Sequence, residues 1–442
     1  MSPEELMAVI NVVADTAMEG YYWWATAIMI AIHAGFMMYE MGASRAKNVM
    51  HTGVKNILAF AFTIPAFFVV GWWAYWAYQS GNIFIPDWNH EFAQYYVPWG
   101  DQGGMGPNHQ DGASGIFWAA FTLFAMTTAS IVSGSVIERI KMSGWLILVT
   151  IFGGFIWIVG AGWGWSTGGW LVADWGFRDV CAAGVVHMAA GFFALGVLVN
   201  LGPRQGRFNA DGSTNEVAGH SGPMAAAGLM VIILGFFGFL GACLISPSSM
   251  AGTSADLGWI NIYGIKSNLS AFAFNTLMGM AGGIMAAWWV TRDAFWMMGG
   301  ALCGIISVAS GIDLWYPGTA FVVGAIGGLI MPYCHKMLTS WGIDDAVGAV
   351  SVHGFVGIWG VMSVGILLGG YPAPSADIPA ITFTGQLVGA ISFFLLGFVP
   401  GYVLSWILNK AGMLRYSEAI LEKGVDSTEG ETQAYPDFQK SS

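Results

Sequence analysis

The chain alternates long apolar runs with short polar connections, and these runs predict its helices. Each run holds about 20 mostly apolar residues, the length that a helix needs to cross a bilayer core of ~30 Å. The runs lie near residues 22–41, 57–79, 114–137, 143–165, 180–200, 224–246, 268–291, 294–312, 318–334, 346–369 and 381–408. A membrane barrel is excluded, because its strands would be ~10 residues long with alternating polarity. The pattern predicts an all-α integral membrane protein with eleven transmembrane helices.

The composition fits a protein in a lipid bilayer. Of the 442 residues, 56% are hydrophobic and only 9% are charged, whereas a soluble protein carries about 25% charged residues. The 63 Gly residues suit helices that pack closely within a membrane. This composition excludes a soluble enzyme, a disordered chain and a coiled coil, and a net charge of −11 argues against nucleic acid as a partner. All four Cys lie in apolar runs, so we expect them to pack and not to form disulfides or a metal site.

The basic residues predict an orientation. If eleven helices cross the bilayer, thirteen Lys and Arg fall on one side, and only Arg178 and Lys266 fall on the other. The positive-inside rule makes the first side cytoplasmic. We therefore expect an outer N-terminus and a cytoplasmic tail of about 411–442 in the cell (inner) membrane. The first twenty residues carry no Lys or Arg, so we expect no signal peptide. The long outer loop of about 80–113 either caps the outer face or is a plain connector.

Two segments repeat one spacing. Residues 179–187 read DVCAAGVVH and residues 345–353 read DAVGAVSVH, and in both a Gly follows the His by four residues. The two spans enter from opposite faces, so at ~1.5 Å per residue both His lie roughly 12 Å deep. This predicts an inverted 5+5 repeat, with halves of about 20–200 and 224–369 and a last helix of about 381–408. In such folds the site lies at the midplane between the halves, where we expect His187 and His353 to be neighbours.

The residue types around the two His limit the chemistry. A single intramembrane His often only joins two helices by a hydrogen bond, but two at symmetric depth favour a function. The flanking Asp residues are expected to cap helix N-termini, and the charge of Asp179 could also favour a cation at the outer mouth. Two His do not complete a catalytic metal site, and H-E-x-x-H and G-x-S-x-G are both absent. We therefore expect no enzyme, no metal and no cofactor. Copper transport is disfavoured because the 24 Met form no M-x-x-M cluster about the His.

At these residues the chain resembles a known family. The matching segments, besides the two His segments, are HAGFMMYEMG at 33–42, RAKN at 45–48, KN at 55–56, IVSGSVIERIK at 131–141, GFFGFLGA at 235–242 and parts of 414–435. Together they resemble the ammonium transporters of the Amt/Mep/Rh family, of the bacterial Amt type, over about residues 15–436. The resemblance implies a homotrimer with one pore in each protomer. It also implies a transporter domain of 1–410 and a cytoplasmic tail of 411–442 that permits control by a PII-type signalling protein.

The resemblance also assigns roles to single residues. It implies that His187 and His353 are the family's twin pore His. It implies a gate of two stacked rings, Phe124 and Phe239. The outer ammonium site would consist of Trp165, Cys243 and Phe124, with Asp179 as a structural acid nearby.

Three positions depart from the family pattern. Cys243 stands where many bacterial relatives have a Ser that lines the outer site. Phe121 stands where relatives often have Gln, and Ala59 replaces a frequent Asp. The first two departures bear on how a cation is recruited and leave the twin His unchanged.

The residues suggest a transport mechanism. Ammonium and potassium are similar in size and charge, but only ammonium can release a proton. We expect ammonium to be held at the outer aromatic site and deprotonated, after which ammonia and the proton pass the two His. Two alternatives remain open at this stage: a passive ammonia channel, and an ammonium sensor whose tail signals to a partner. The ligand in every case is ammonium or ammonia, and the physiological role is nitrogen uptake or its sensing.

Overall fold

The computed structural model describes residues 1–80, 82–99, 112–245, 259–371, 378–428 and 434–435, and within these ranges the chain is almost entirely helical. The α-helices are α1 (Pro3–Ala43), α2 (Val49–Ala66), α3 (Trp72–Ser80), α4 (Glu91–Tyr95), α5 (Gly112–Ser135), α6 (Met142–Ile151), α7 (Trp157–Gly164), α8 (Trp170–Trp175), α9 (Ala189–Leu201), α10 (Gly222–Gly241), α11 (Leu269–Thr291), α12 (Ala294–Ala309), α13 (Pro317–Ser340), α14 (Val356–Leu367), α15 (Phe383–Lys410) and α16 (Glu418–Lys423). Two short strands, β1 (Leu244–Ile245) and β2 (Ile260–Asn261), pair antiparallel.

Every predicted apolar run coincides with a helix. Among the described residues, ten helices are long and apolar enough to cross a membrane, when consecutive helical segments are counted together. The helix at the eighth predicted run, α12, is apolar but only 16 residues long. The predicted outer loop of 80–113 falls largely on residues 100–111, which lie outside the described part of the chain.

The first helix is much longer than the hydrophobic pattern predicts. It begins at Pro3 and not near residue 22. Ser2 accepts a hydrogen bond from the Glu5 backbone, and the Glu5 side chain accepts one from the Ser2 backbone, which completes a capping box. The first turns are largely exposed, and their four acidic residues, Glu4, Glu5, Asp15 and Glu19, interrupt the apolar residues between them.

Among the described residues, four of the candidate membrane helices contain a π-helical turn, a feature that the hydrophobic pattern did not predict. These turns are Phe67–Gly71, Phe152–Ile156, Ala183–Met188 and Val350–Phe355. A π-helical turn changes the direction of the side chains that follow, and such turns are frequent at functional sites. The last two turns carry His187 and His353.

Small residues let α1 and α10 pack backbone to backbone. A Cβ on Gly35 would lie 2.5 Å from the Ile232 backbone nitrogen, and one on Gly228 would lie 2.4 Å from the Tyr39 backbone nitrogen. Lipid tails are as apolar as the side chains, so close packing and not hydrophobic burial holds such helices together.

A buried ionic cluster closes one end of the helix bundle. Asp344 accepts two hydrogen bonds from the Arg204 guanidinium at 2.9 and 3.0 Å, and Arg139 donates to the Asp344 backbone oxygen at 2.6 Å. Burial alone would raise the pKa of Asp344, but the Arg139 and Arg204 guanidinium groups hold it well below its usual range. The cluster ties the loop before His353 to the connections that follow α5 and α9.

The segment after α15 folds back onto the same end of the bundle. The Leu414 carbonyl accepts from the Lys141 backbone, and the side chain of Leu414 is fully buried. The Asp426 carboxylate accepts from the backbone nitrogens of Met50 and His51 at 3.1 and 2.8 Å, so it caps the start of α2. Burial raises the pKa of Asp426. The tail residues that the structure describes are therefore packed against the helix bundle, with Asp426 at the start of α2 and Tyr435 against His220.

We expect Gly35→Ala to lower the melting temperature in detergent by several degrees, because the added methyl group would force α1 and α10 apart. Gly20→Ala is the matched control in the same helix, since a Cβ at Gly20 meets no atom within 4 Å. The control should leave the melting temperature unchanged or raise it slightly, because Ala is the better helix former. Equal melting temperatures of the two variants would show that the close contact between α1 and α10 does not limit stability.

Candidate functional site

The structure brings the two predicted His together. The Nδ1 atoms of His187 and His353 lie 3.0 Å apart, and the ring centroids are 5.1 Å apart at an angle of 26°. Both side chains are buried. A hydrogen bond between two Nδ1 atoms requires one ring to donate and the other to accept, so the two imidazoles hold different tautomers. Such a pair can exchange donor and acceptor roles when a proton moves between the rings.

Each His follows an Asp that fixes its helical turn. Asp179 Oδ2 accepts from the backbone nitrogens of Gly184 and Val185, five and six residues on, at 2.9 and 2.8 Å. Asp345 Oδ2 accepts from the residues at the same two offsets, Val350 and Ser351, at 2.8 and 3.3 Å. Burial raises the pKa of both carboxyls, that of Asp345 to about 7. The capping role predicted for the two Asp is therefore what the structure shows.

The Gly four residues after each His, Gly191 or Gly357, contacts the helical turn of the other His. A Cβ on Gly191 would lie 2.2 Å from the Gly354 backbone nitrogen, and one on Gly357 would lie 2.7 Å from the Ala183 carbonyl oxygen. These reciprocal contacts bring the two segments close enough for the His rings to meet.

An aromatic column leads to the His pair. The Phe124 ring lies 5.0 Å from Trp165 and 4.5 Å from Phe239, and Phe239 lies 5.9 Å from His187. The stacked arrangement expected for the two Phe is wrong in detail, because their rings meet edge-on at 75°. Edge-to-face contact is a favoured geometry for aromatic pairs. The two rings close the column above the His.

Trp165 is held by two hydrogen bonds at the end of this column that lies away from the His pair. Its Nε1 donates to the Asp179 carbonyl oxygen at 2.6 Å, and its own carbonyl accepts from the Tyr75 hydroxyl at 2.9 Å. Asp179 therefore supports both Trp165, through its backbone carbonyl, and the His187 turn, through its carboxylate.

Two of the three departures from the family pattern, Cys243 and Phe121, lie next to the column. The Cys243 thiol donates to the Phe239 carbonyl oxygen at 3.5 Å. Phe121 meets Phe124 at 5.8 Å and Trp165 at 5.9 Å, so it extends the aromatic wall. Ala59, the third departure, is fully buried in α2.

A cavity on the opposite side of the His pair was missed by the sequence analysis. It is small, with room for about one water molecule, and its lining includes His353, Phe36 and the carboxylate of Glu40. The signal in the sequence was present, since Glu40 is a charged residue inside a predicted span. Among the described residues, no group of three or more His, Cys, Asp or Glu could hold a metal ion.

The family comparison decides the classification. A family model described as the Ammonium Transporter Family matches residues 21–435. The chain belongs to the ammonium transporter family. The Archaeoglobus fulgidus protein named ammonium transporter Amt2 is 31% identical, over 93% of this chain and 86% of its own. The Methanocaldococcus jannaschii protein named ammonium transporter Amt2 is also 31% identical, over 91% and 87%. The chain is thus a multi-pass membrane protein of a transporter family.

Solved structures show the same fold at lower sequence identity. A structure titled as a sensor Amt protein superposes with a TM-score of 0.76 at 24% identity, covering 95% of this chain and 99% of its own. Candida albicans Mep2 gives a TM-score of 0.72 at 19% identity, with 95% and 90% covered. Nitrosomonas europaea Rh50 gives 0.63 at 18% identity, with 90% of each chain covered.

We expect Asp179→Ala to lower the melting temperature strongly, because it leaves two buried backbone N–H groups and the Ser310 hydroxyl without their acceptor. Each unsatisfied group costs about 1–3 kcal/mol. Asp179→Asn keeps one oxygen that can accept from both N–H groups. Its melting temperature should therefore fall by less than half as much as that of Asp179→Ala. Thermal unfolding of both variants in one detergent measures this difference, and an equal loss in both would contradict the capping role.

Proposed function

We propose that the protein conducts ammonium across the membrane by separating it into ammonia and a proton at an outer aromatic site. The observation that carries this proposal is the buried His187–His353 hydrogen bond directly beneath the Phe124–Phe239 contact. An apolar passage that ends on a proton-exchanging pair suits a substrate that is both a weak acid and, once deprotonated, a small neutral molecule.

The outer end of the column suits recruitment of a cation. A cation is attracted to an aromatic face by about 0.5–2 kcal/mol, and Trp165 and Phe124 present two such rings close together. Burying ammonium itself in the apolar passage would cost many kcal/mol, whereas neutral ammonia costs far less. We therefore place deprotonation at or above the Phe124–Phe239 gate.

The His pair gives the released proton a route. Each imidazole has two nitrogens, and here the two Nδ1 atoms already share a hydrogen bond. If the proton follows ammonia along this pair, each transported ammonium carries one positive charge and the membrane potential drives uptake. Potassium has no proton to release, so the apolar passage rejects it. A passive ammonia channel would move no charge, and a pure sensor would move neither ammonia nor charge.

We further propose that all eleven apolar helices cross the bilayer, as an inverted 5+5 repeat and a last helix. At ~1.5 Å per residue α12 is about 24 Å long, and from Met298 to Ala309 it is buried. A helix enclosed by protein can be shorter than one that faces lipid. The ionic cluster around Asp344 and the folded tail then lie on the basic, cytoplasmic side of the inner membrane.

The family further supports a homotrimer, with a tail available to a PII-type signalling protein. The tail packs on the same end of the bundle as the Asp344 cluster, where Lys47 donates to the Leu421 carbonyl oxygen at 2.8 Å. A partner that displaced the tail would break this contact and the Asp426 cap of α2. We accordingly treat residues 1–410 as the transporter domain and residues 411–442 as its regulatory tail.

Replacing either His187 or His353 with Ala should reduce the ammonium-driven current to background, because it removes one half of the proton route and leaves the other imidazole unpaired. The unpaired imidazole lowers the free energy of unfolding by about 1–3 kcal/mol, and the protein should still fold and assemble. The measurement is the current from purified protein in liposomes after an ammonium pulse, with size-exclusion chromatography as the control for assembly. Near-normal current in both variants would contradict the mechanism.

Cys243→Ser should lower the ammonium concentration for half-maximal transport about fivefold. A hydroxyl that donates to the Phe239 carbonyl still offers lone pairs to an ammonium N–H, whereas a thiol is a poor acceptor. One such bond contributes about 1 kcal/mol. Titrating the transport of both proteins at one pH measures the change, and an unchanged or higher value would mean that residue 243 does not face the ion. Selectivity against potassium should stay the same in both.

A further inference from the structure

A buried ion pair that the mechanism above does not use lies beside the pore. Glu40 on α1 and Lys55 on α2 are 1% and 0% exposed, and Lys55 Nζ lies 3.4 Å from Glu40 Oε2. Asn56 Nδ2 donates to the same oxygen at 2.9 Å, and the Ser133 hydroxyl donates to Glu40 Oε1. Ionisable side chains within membrane spans are costly, and they commonly mark paths for ions or protons.

A gain in folding stability is a weak explanation for the presence of this buried ion pair. Replacing a buried ion pair with apolar residues of similar volume is often neutral or stabilising, because both charges lose their hydration. The pair does connect three helices, since Lys55 Nζ also donates to the Ser133 carbonyl oxygen of α5. A structural clamp is therefore the competing explanation, and the experiment has to separate the two.

The position of Glu40 points to a role in conduction. Glu40 and His353 line the same cavity, which also reaches Val347 in the loop that precedes the His353 turn. A Cβ on Gly134 would lie 2.5 Å from the Val347 side chain and 3.5 Å from Glu40 Oε1. The missing side chain at Gly134 thus keeps open the space beside the carboxylate. Ammonia that leaves the His pair on this side enters a cavity with a carboxylate in its wall.

We propose that Glu40 is the proton-exchange group at the inner end of the pore, where ammonia becomes ammonium again. This inference rests on the proposed function. The His pair, which has taken up the proton released by ammonium, gives that proton to the Glu40 carboxylate through a water molecule in the cavity and returns to its neutral state. The carboxylic acid then gives that proton to the ammonia nitrogen, which yields ammonium and restores the carboxylate.

The neighbours of Glu40 have distinct parts in this step. Lys55 is a positioning residue, because its ammonium group favours the ionised carboxylate and so returns Glu40 to the state that accepts the next proton. Asn56 and Ser133 hold the two carboxylate oxygens in place. Ammonium formed in the cavity is also attracted by the carboxylate, which gives the cation a local site before it is released.

The test compares three variants with the unaltered protein in liposomes. Glu40→Gln removes the acid–base group. Glu40→Gln combined with Lys55→Met removes the whole ion pair, so no uncompensated charge stays buried. Glu138→Gln is the matched control, because Glu138 is a buried acid paired with Arg45 that does not line the cavity. The readouts are the sustained current after an ammonium pulse, the melting temperature and the passive permeation of ammonia.

We expect Glu40→Gln to lower the sustained current at least tenfold, with ammonia permeation within about twofold of the unaltered protein. Glu40→Gln should also lower the melting temperature, because it leaves the buried Lys55 charge without its partner. The double variant should restore the melting temperature of the unaltered protein but still lack the current. Glu138→Gln should keep its current. A double variant that regains both would show that the pair is only a clamp, and an undiminished current in Glu40→Gln would also overturn the inference. An unaltered protein that passes ammonia without current would instead overturn the proposed function and this inference with it.

Discussion

The fold depends on satisfying polar groups inside an apolar passage. Two imidazoles buried between helices need partners, and each supplies the other with one at 3.0 Å. The neighbouring groups maintain this distance: one Asp caps each His turn, and one Gly after each His lets the two segments touch. Loss of any of these contacts would disturb the turn that positions a His ring and weaken the hydrogen bond between the two imidazoles.

The same constraint organises the two sides of the His pair. On one side, in the proposed mechanism, aromatic rings attract a cation to their faces but exclude it from the passage, so it approaches only as far as the Phe124–Phe239 contact. On the other side, a cavity contains a carboxylate whose charge is balanced by Lys55. The proposed mechanism thus gives a proton released above the rings three acid–base groups in sequence: the two imidazoles and then Glu40.

Much of this arrangement was predictable because membrane helices leave a strong pattern. The apolar runs located each of the ten helices in the described residues that are long and apolar enough to cross a membrane, and the equal Asp-to-His spacing of 179–187 and 345–353 placed His187 next to His353. The edge-on geometry of the Phe pair and the π-helical turns were not predictable, because both depend on packing between distant helices. The early start of α1 at Pro3 was missed because Glu4, Glu5, Asp15 and Glu19 interrupt the apolar residues of its exposed first turns. Glu40 was visible as a charge in a span, but its place beside His353 required the fold.

The central claim is that ammonium moves as separated ammonia and proton past the His pair. It is tested most directly by recording current from the purified protein in liposomes after equal pulses of ammonium and of potassium. The account predicts a sustained inward current with ammonium and none with potassium. An equal current with potassium, or ammonia flux without any current, would contradict it.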